Sequence, residues 1–193
     1  TVMMWDIDAW EAIYEEQGIG YSFHIDVSPD GSTALIDYVQ RGVIVWDIAE
    51  GTQISAVPGS YYISRFLQDN QRALSANQAS AVLWDTTTGE ELLEFETPPD
   101  TLTALSISPD ERYALGSTEF AVLIAWDMES GEIIREYYGH SEEVYDIVFL
   151  PDGKQFLSAS QDASIRLWDF ETAVEVYRFP GHRDAVRDIS LSS

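Results

Sequence analysis

Cysteine is absent from the 193 residues. That excludes a disulfide framework and a thiolate metal site, and it fits a reducing, cytoplasmic compartment. Lysine occurs once, as Lys154. Ten basic residues face 34 acidic ones, for a formal net charge of −24. So few cations argue against a nucleic-acid partner, whose phosphates need a basic face, and against docking on an anionic membrane. No apolar run approaches the ~20 residues that cross a bilayer, and no signal peptide is visible. Histidine occurs three times, too scattered to hold a metal. Gly18-Ile19-Gly20 lacks the rest of a phosphate-cradling loop. No stretch sustains an apolar period of 3.6 residues, so helix is not expected.

What is present is a repeat. Trp-Asp occurs at Trp5-Asp6, Trp46-Asp47, Trp84-Asp85, Trp126-Asp127 and Trp168-Asp169, with tryptophan spacings of 41, 38, 42 and 42. Pro29, Pro109 and Pro151 each lie 17 residues before one of these tryptophans, and Leu67 holds the same offset before Trp84. The fullest copy is Gly139–Asp169, GHSEEVYDIVFLPDGKQFLSASQDASIRLWD. Each unit contains four short runs rich in β-branched and aromatic residues, punctuated by turn residues such as Pro151-Asp152-Gly153. The pattern predicts an all-β chain of four-stranded units.

These features resemble the WD40-repeat family, over the whole chain. The resemblance implies a β-propeller of four-stranded antiparallel blades, four complete and two partial. Residues 1–17 would be strands c and d of a partial blade. Blades would span 20–57, 61–95, 102–137 and 143–178, and 185–193 would be strand a of a further blade. It also implies a buried hydrogen-bonded set of His, Ser or Thr, Asp and Trp, complete once as His140, Ser160, Asp162 and Trp168. The matching positions elsewhere are Pro98, Thr118, Phe120 and Trp126; Gly18, Tyr38, Gln40 and Trp46; and Ala56, Ala76, Gln78 and Trp84. Such rings normally close by pairing their two ends, and usually hold seven or eight blades. A start at Thr1 and a cut inside a repeat therefore predict part of a longer protein. The alternative is a half-ring that associates with copies of itself.

Residue types of a hydrolase triad occur in His140, Ser160 and Asp162, but the structural set explains them better. Glu15-Glu16, Glu90-Glu91 and Glu142-Glu143 read as solvated charge rather than paired catalytic carboxylates. Asp30, Asp110 and Asp152 read as turn residues rather than a calcium loop. The sequence calls for no cofactor, no metal and no catalytic residue. The resemblance implies a non-catalytic protein-interaction scaffold or sensor, with proteins or peptides as partners. An enzyme with a site at the channel mouth is the other alternative. The partner face would be built from b–c and d–a connections: Tyr38, Arg41, Tyr61, Tyr62, Asn77, Glu119, Phe120, Glu142, Glu143 and Tyr145.

Overall fold

The computed structural model describes residues 2–6, 11–16, 22–38, 41–77, 80–99 and 101–192, the first two stretches and Phe23 as backbone only. Among the described residues every regular element is a β-strand. β1 (Val2–Asp6) and β2 (Glu11–Glu16) form a two-stranded antiparallel sheet. Four four-stranded antiparallel sheets follow, each a meander whose strands run a, b, c, d in chain order. The first holds β3 (Ser22–Val27), β4 (Thr33–Tyr38), β5 (Gly42–Asp47) and β6 (Thr52–Val57). The second holds β7 (Ile63–Phe66), β8 (Arg72–Ala76), β9 (Ala81–Asp85) and β10 (Glu91–Phe95). The third holds β11 (Leu102–Ile107), β12 (Tyr113–Thr118), β13 (Leu123–Asp127) and β14 (Ile133–Tyr137). The fourth holds β15 (Val144–Phe149), β16 (Gln155–Ser160), β17 (Ile165–Asp169) and β18 (Glu175–Phe179). These sheets are consistent with the blades of a β-propeller.

The a–b turns explain the recurring Pro-Asp. In Ser28-Pro29-Asp30-Gly31 the Gly31 amide donates to the Ser28 carbonyl at 2.8 Å, and Gly153 donates to Leu150 at 2.9 Å. Asn70 to Leu67 and Glu111 to Ser108 repeat the bond at 3.2 and 2.9 Å. Proline presets φ at the turn's second residue, and the fourth residue must enter the left-handed region. The aspartate of Trp-Asp has a local task too. Its carboxylate closes the c–d turn by accepting an amide three residues on, at 2.8 Å from Glu50, 2.8 Å from Thr88, 3.0 Å from Ser130 and 2.8 Å from Thr172.

The chain forms two compact units, Thr1–Ser75 with Leu83–Leu92, and Ala76–Val82 with Leu93–Ser193. In the first, Leu35, Val43, Val57, Phe66 and Ala73 pack around Trp84. In the second, Leu115, Leu123, Tyr137, Phe149 and Phe156 pack around Trp168. Burying one such indole is worth about 4–6 kcal/mol of transfer free energy at ~25 cal/mol per Å². Within the second unit the third and fourth sheets are also joined by polar contacts. Thr103 and Ser117 both donate to the Val144 carbonyl, at 2.8 and 3.1 Å, and Tyr137 Oη donates to the Phe170 carbonyl at 2.7 Å.

One expected strand differs. Residues 185–191 form no strand, although they lie along the fourth sheet as an inner strand would. The Val186 amide donates to the Ser160 carbonyl at 3.0 Å, and the Ile189 amide to Asp146 Oδ2 at 2.8 Å. Leu102, which opens β11, makes the same kind of bond to the Asn77 carbonyl at 3.4 Å. A strand needs a ladder of paired amides and carbonyls, and this segment has anchors without a ladder.

Candidate protein-binding face

β16, β17 and the turn between them hold a buried, hydrogen-bonded polar cluster. His140 Nδ1 lies 2.8 Å from Asp162 Oδ2, and His140 Nε2 lies 2.7 Å from Ser158 Oγ. Trp168 Nε1 donates to Ser158 Oγ at 2.8 Å. The serine in the set is therefore Ser158, not Ser160. Register is the cause. Trp168 stands opposite Phe156 in the β16–β17 pair, and its indole reaches the diagonal neighbour two residues on, no further. Ser160 lies at the strand end, where its hydroxyl donates to the Glu142 carbonyl and accepts the Asp162 amide, both at 3.0 Å.

A neutral imidazole satisfies every partner. Nδ1–H donates to Asp162, Nε2 accepts from the Ser158 hydroxyl, and that oxygen accepts the indole N–H. Burial pushes the His140 imidazole below its ordinary pKa, against the pull of Asp162. Burial alone would raise Asp162, but hydrogen bonds from Ser164 and His140 outweigh it and hold the carboxyl well below the usual carboxylate range. Arg166, which sequence reasoning missed, is buried in the same cluster. It donates to Glu175 at 2.6 Å and to Asp162 at 3.3 Å. A cation four residues after the turn aspartate was the available signal. Gly139 is small for a reason: an added Cβ would sit 2.6 Å from the Arg166 guanidinium and 2.9 Å from the Trp168 ring.

The sister sheets solve the same problem differently. In the third, Gly116 stands where the fourth has Ser158, because a Cβ there would meet Trp126 at 2.5 Å. The Trp126 indole donates instead to the Glu96 carbonyl at 2.6 Å. In the first unit, Trp84 donates to Ser75 at 2.9 Å, and Ser75 shares a 2.7 Å bond with Ser64. Ser64 in turn donates to the buried Asp37 at 2.5 Å. His24 faces the other oxygen of Asp37 at 3.3 Å and is met on its far side by Arg65. Nothing in the repeat pattern marked Asp37 or Ser64.

The ten residues expected on the partner face divide. Tyr38 and Tyr61 are 2 % and 4 % exposed and belong to the apolar clusters. This corrects their assignment to a binding surface: their rings are inside the first unit. Arg41 is exposed and Tyr62 half-buried in that unit. Gln40 and Gln78 lie outside the described residues. Asn77 is half-buried, and its side chain closes the β8–β9 turn by accepting the Ser80 amide at 2.8 Å.

The remaining positions converge in the second unit. Glu119, Phe120, Glu142 and Glu143 line one open groove with Ser141 and Gln161, of about 530 Å³. Phe120 is 68 % exposed. Tyr145 borders this region, its hydroxyl donating to Gln161 Oε1 at 2.7 Å, and the Arg187 guanidinium lies 5.0 Å from its ring centroid. Ser141, Gln161 and Arg187 were not foreseen from the sequence.

Residues 131–169 match the WD40 family model, described as WD domain, G-beta repeat. No curated protein matches the chain. The matched stretch begins at the turn before strand d of the third sheet and ends with strand c of the fourth, so the sequence repeat is offset from the sheet. It carries Gly139-His140, the Pro151 turn and Trp168-Asp169, and with them this chain carries a WD40 repeat within four-stranded antiparallel sheets consistent with WD40 propeller blades.

Proposed function

We propose that the chain is a non-catalytic protein-interaction module whose docking face is the groove beside Phe120. The observation that carries this reading is the exposed aromatic at a turn position that the next sheet fills with a buried, hydrogen-bonded Asp162. WD40 repeats support a scaffold role in general terms. Phe120 serves no internal network, and aromatic side chains at a concave, acid-rimmed surface act as binding anchors. The triad-like connectivity of Ser158, His140 and Asp162 does not favour an enzyme. Ser158 is 0 % exposed beneath Trp168, so its oxygen has no approach for a substrate.

Selection of peptides from a displayed library on the immobilised chain tests the proposal. Sequences enriched on the parent chain are expected to lose at least tenfold in affinity on Phe120→Ala, with unchanged melting temperature. Enriched peptides that bind Phe120→Ala equally well would place the docking face elsewhere. A second reading, self-association, has one observation in its favour. Val57, Phe95 and Tyr137 end their d strands buried, whereas Phe179 ends β18 39 % exposed, beside exposed Val176 and Tyr177. Sedimentation of the chain at micromolar concentration decides it, since the mass of one chain removes that reading.

A further inference from the structure

The groove beside Phe120 has a chemistry as well as a location. Its β12–β13 turn is fixed. The Ala121 amide donates to the Thr118 carbonyl at 3.0 Å, the Thr118 amide to the Val122 carbonyl at 2.9 Å, and the Glu119 amide to the Thr101 carbonyl at 3.0 Å. Ala121 adopts φ 65°, which holds the turn and projects Phe120 from a rigid base. In the fourth sheet the turn aspartate is spent on His140 and Arg166. The third has Pro98 where a histidine would stand, so Phe120 has no buried imidazole to serve.

Around that ring the charge has one sign. Glu119, Glu142 and Glu143 line the groove, and among the described residues no lysine or arginine does. Among the described residues none of the three makes an ion pair. A phenyl face and unpaired carboxylates are together complementary to one class of side chain, a cation with a flat, weakly hydrated head. The neighbouring Tyr145 already carries such a head, that of Arg187.

We propose that the groove takes an arginine side chain from a basic segment of a partner protein, its guanidinium over the Phe120 ring and its charge met by Glu119, Glu142 and Glu143. Arginine is preferred to lysine because a guanidinium stacks on an aromatic face while still donating to carboxylates, whereas an ammonium is a compact, strongly hydrated point charge. The proposal rests on the reading of this groove as the docking face. The net charge of −24 steers basic segments toward the chain from a distance, but steering alone would not depend on Phe120.

The test uses the full chain and three fluorescent eleven-residue peptides, identical except that three positions hold arginine, its neutral isostere citrulline, or glutamate. Fluorescence anisotropy is expected to show the arginine peptide binding at least tenfold more tightly than the citrulline peptide, with no binding by the glutamate peptide. Phe120→Ala and, separately, the pair Glu142→Gln with Glu143→Gln are each expected to weaken the arginine peptide at least fivefold. All these side chains stand at the groove surface, so the variants are expected to fold, and circular dichroism checks that. Equal binding of the arginine peptide by Phe120→Ala would overturn the inference and leave only diffuse attraction. Equal binding of the citrulline and arginine peptides, lost in Phe120→Ala, would overturn the cation while leaving the groove as the docking face.

Discussion

Ser158 and Ser160 stand two residues apart on the same face of β16 and have unequal tasks. Ser158 Oγ receives the Trp168 indole and meets His140 Nε2 where water does not reach. Ser158→Ala removes both partners at once, and each buried polar group left unpaired costs ~1–3 kcal/mol. Ser160→Ala removes two bonds to main-chain groups, the Glu142 carbonyl and the Asp162 amide, each contributing ~0.5–1.5 kcal/mol. At roughly 2–4 °C per kcal/mol for a chain of this size, Ser158→Ala is expected to lower the melting temperature by about 4–24 °C and Ser160→Ala by about 2–12 °C, with the larger loss at Ser158. Thermal denaturation of the two variants checks the order; a larger loss for Ser160→Ala would return the sequence-derived assignment to favour. The sequence located His140, Asp162 and Trp168 because they sit at turns or in a fixed dipeptide. It misplaced the hydroxyl because the partner of an indole depends on cross-strand register, which counting along one strand does not supply. Tyr38 failed for a related reason. β4 is buried at five successive positions, Ala34 to Tyr38, so no alternation marks which residues face outward.

At the scale of elements the turns do most of the specifying. Three of the c–d turns place glycine in the left-handed region, Gly51, Gly89 and Gly131, at φ 64°, 76° and 74°. The fourth places Ala173 there, at φ 57°. A side chain in that region costs ~1–2 kcal/mol, partly offset by the larger entropy glycine loses on folding. Ala173→Gly is therefore expected to stabilise the chain by about 0.5–1 kcal/mol. Urea denaturation should show a higher midpoint with an unchanged slope, and a lower midpoint would mean that packing of the Ala173 methyl outweighs the relief. Such turns made the strand pattern legible, since Pro-Asp and Trp-Asp mark strand ends by local chemistry alone. The segment 185–191 has the apolar pattern of an inner strand, but pattern gives only the competence to pair. Pairing itself is a relation with another strand, here limited to the bonds at Val186 and Ile189.

For the molecule as a whole, pH acts through two opposed effects. Several turn carboxylates are held below their ordinary pKa of 3.8 by bonds that exist only in the fold. These come chiefly from the amide of Ser32 for Asp30, the amide of Thr88 for Asp85, the hydroxyl of Ser108 for Asp110, the amide of Ser130 for Asp127 and the hydroxyl of Thr172 for Asp169. A carboxylate with a depressed folded pKa stabilises the fold above its unfolded value, and that stability is lost as pH falls through the folded value. These groups lie at the surface, so each contributes little, but they recur in every four-stranded sheet and add with Asp162. His140 has the same sign at higher pH. Its neutral form is favoured by burial, against Asp162 and Glu175 and with Arg166. Its contribution is present above its ordinary 6.5 and declines as pH falls below that. Against both runs the self-repulsion of the −24 charge, which protonation relieves toward the isoelectric point near 4.1. The folded-state bonds are short-range and little screened, whereas the repulsion is spread over the surface and weakened by salt. In 0.15 M salt the melting temperature is therefore expected to be flat from pH 8 to 7, to fall modestly from pH 6.5 to 5, and to drop steeply below pH 4. His140→Gln should flatten the middle segment and leave the steep one. A melting temperature that instead peaks near pH 4 would show that relief of repulsion outweighs the turn carboxylates.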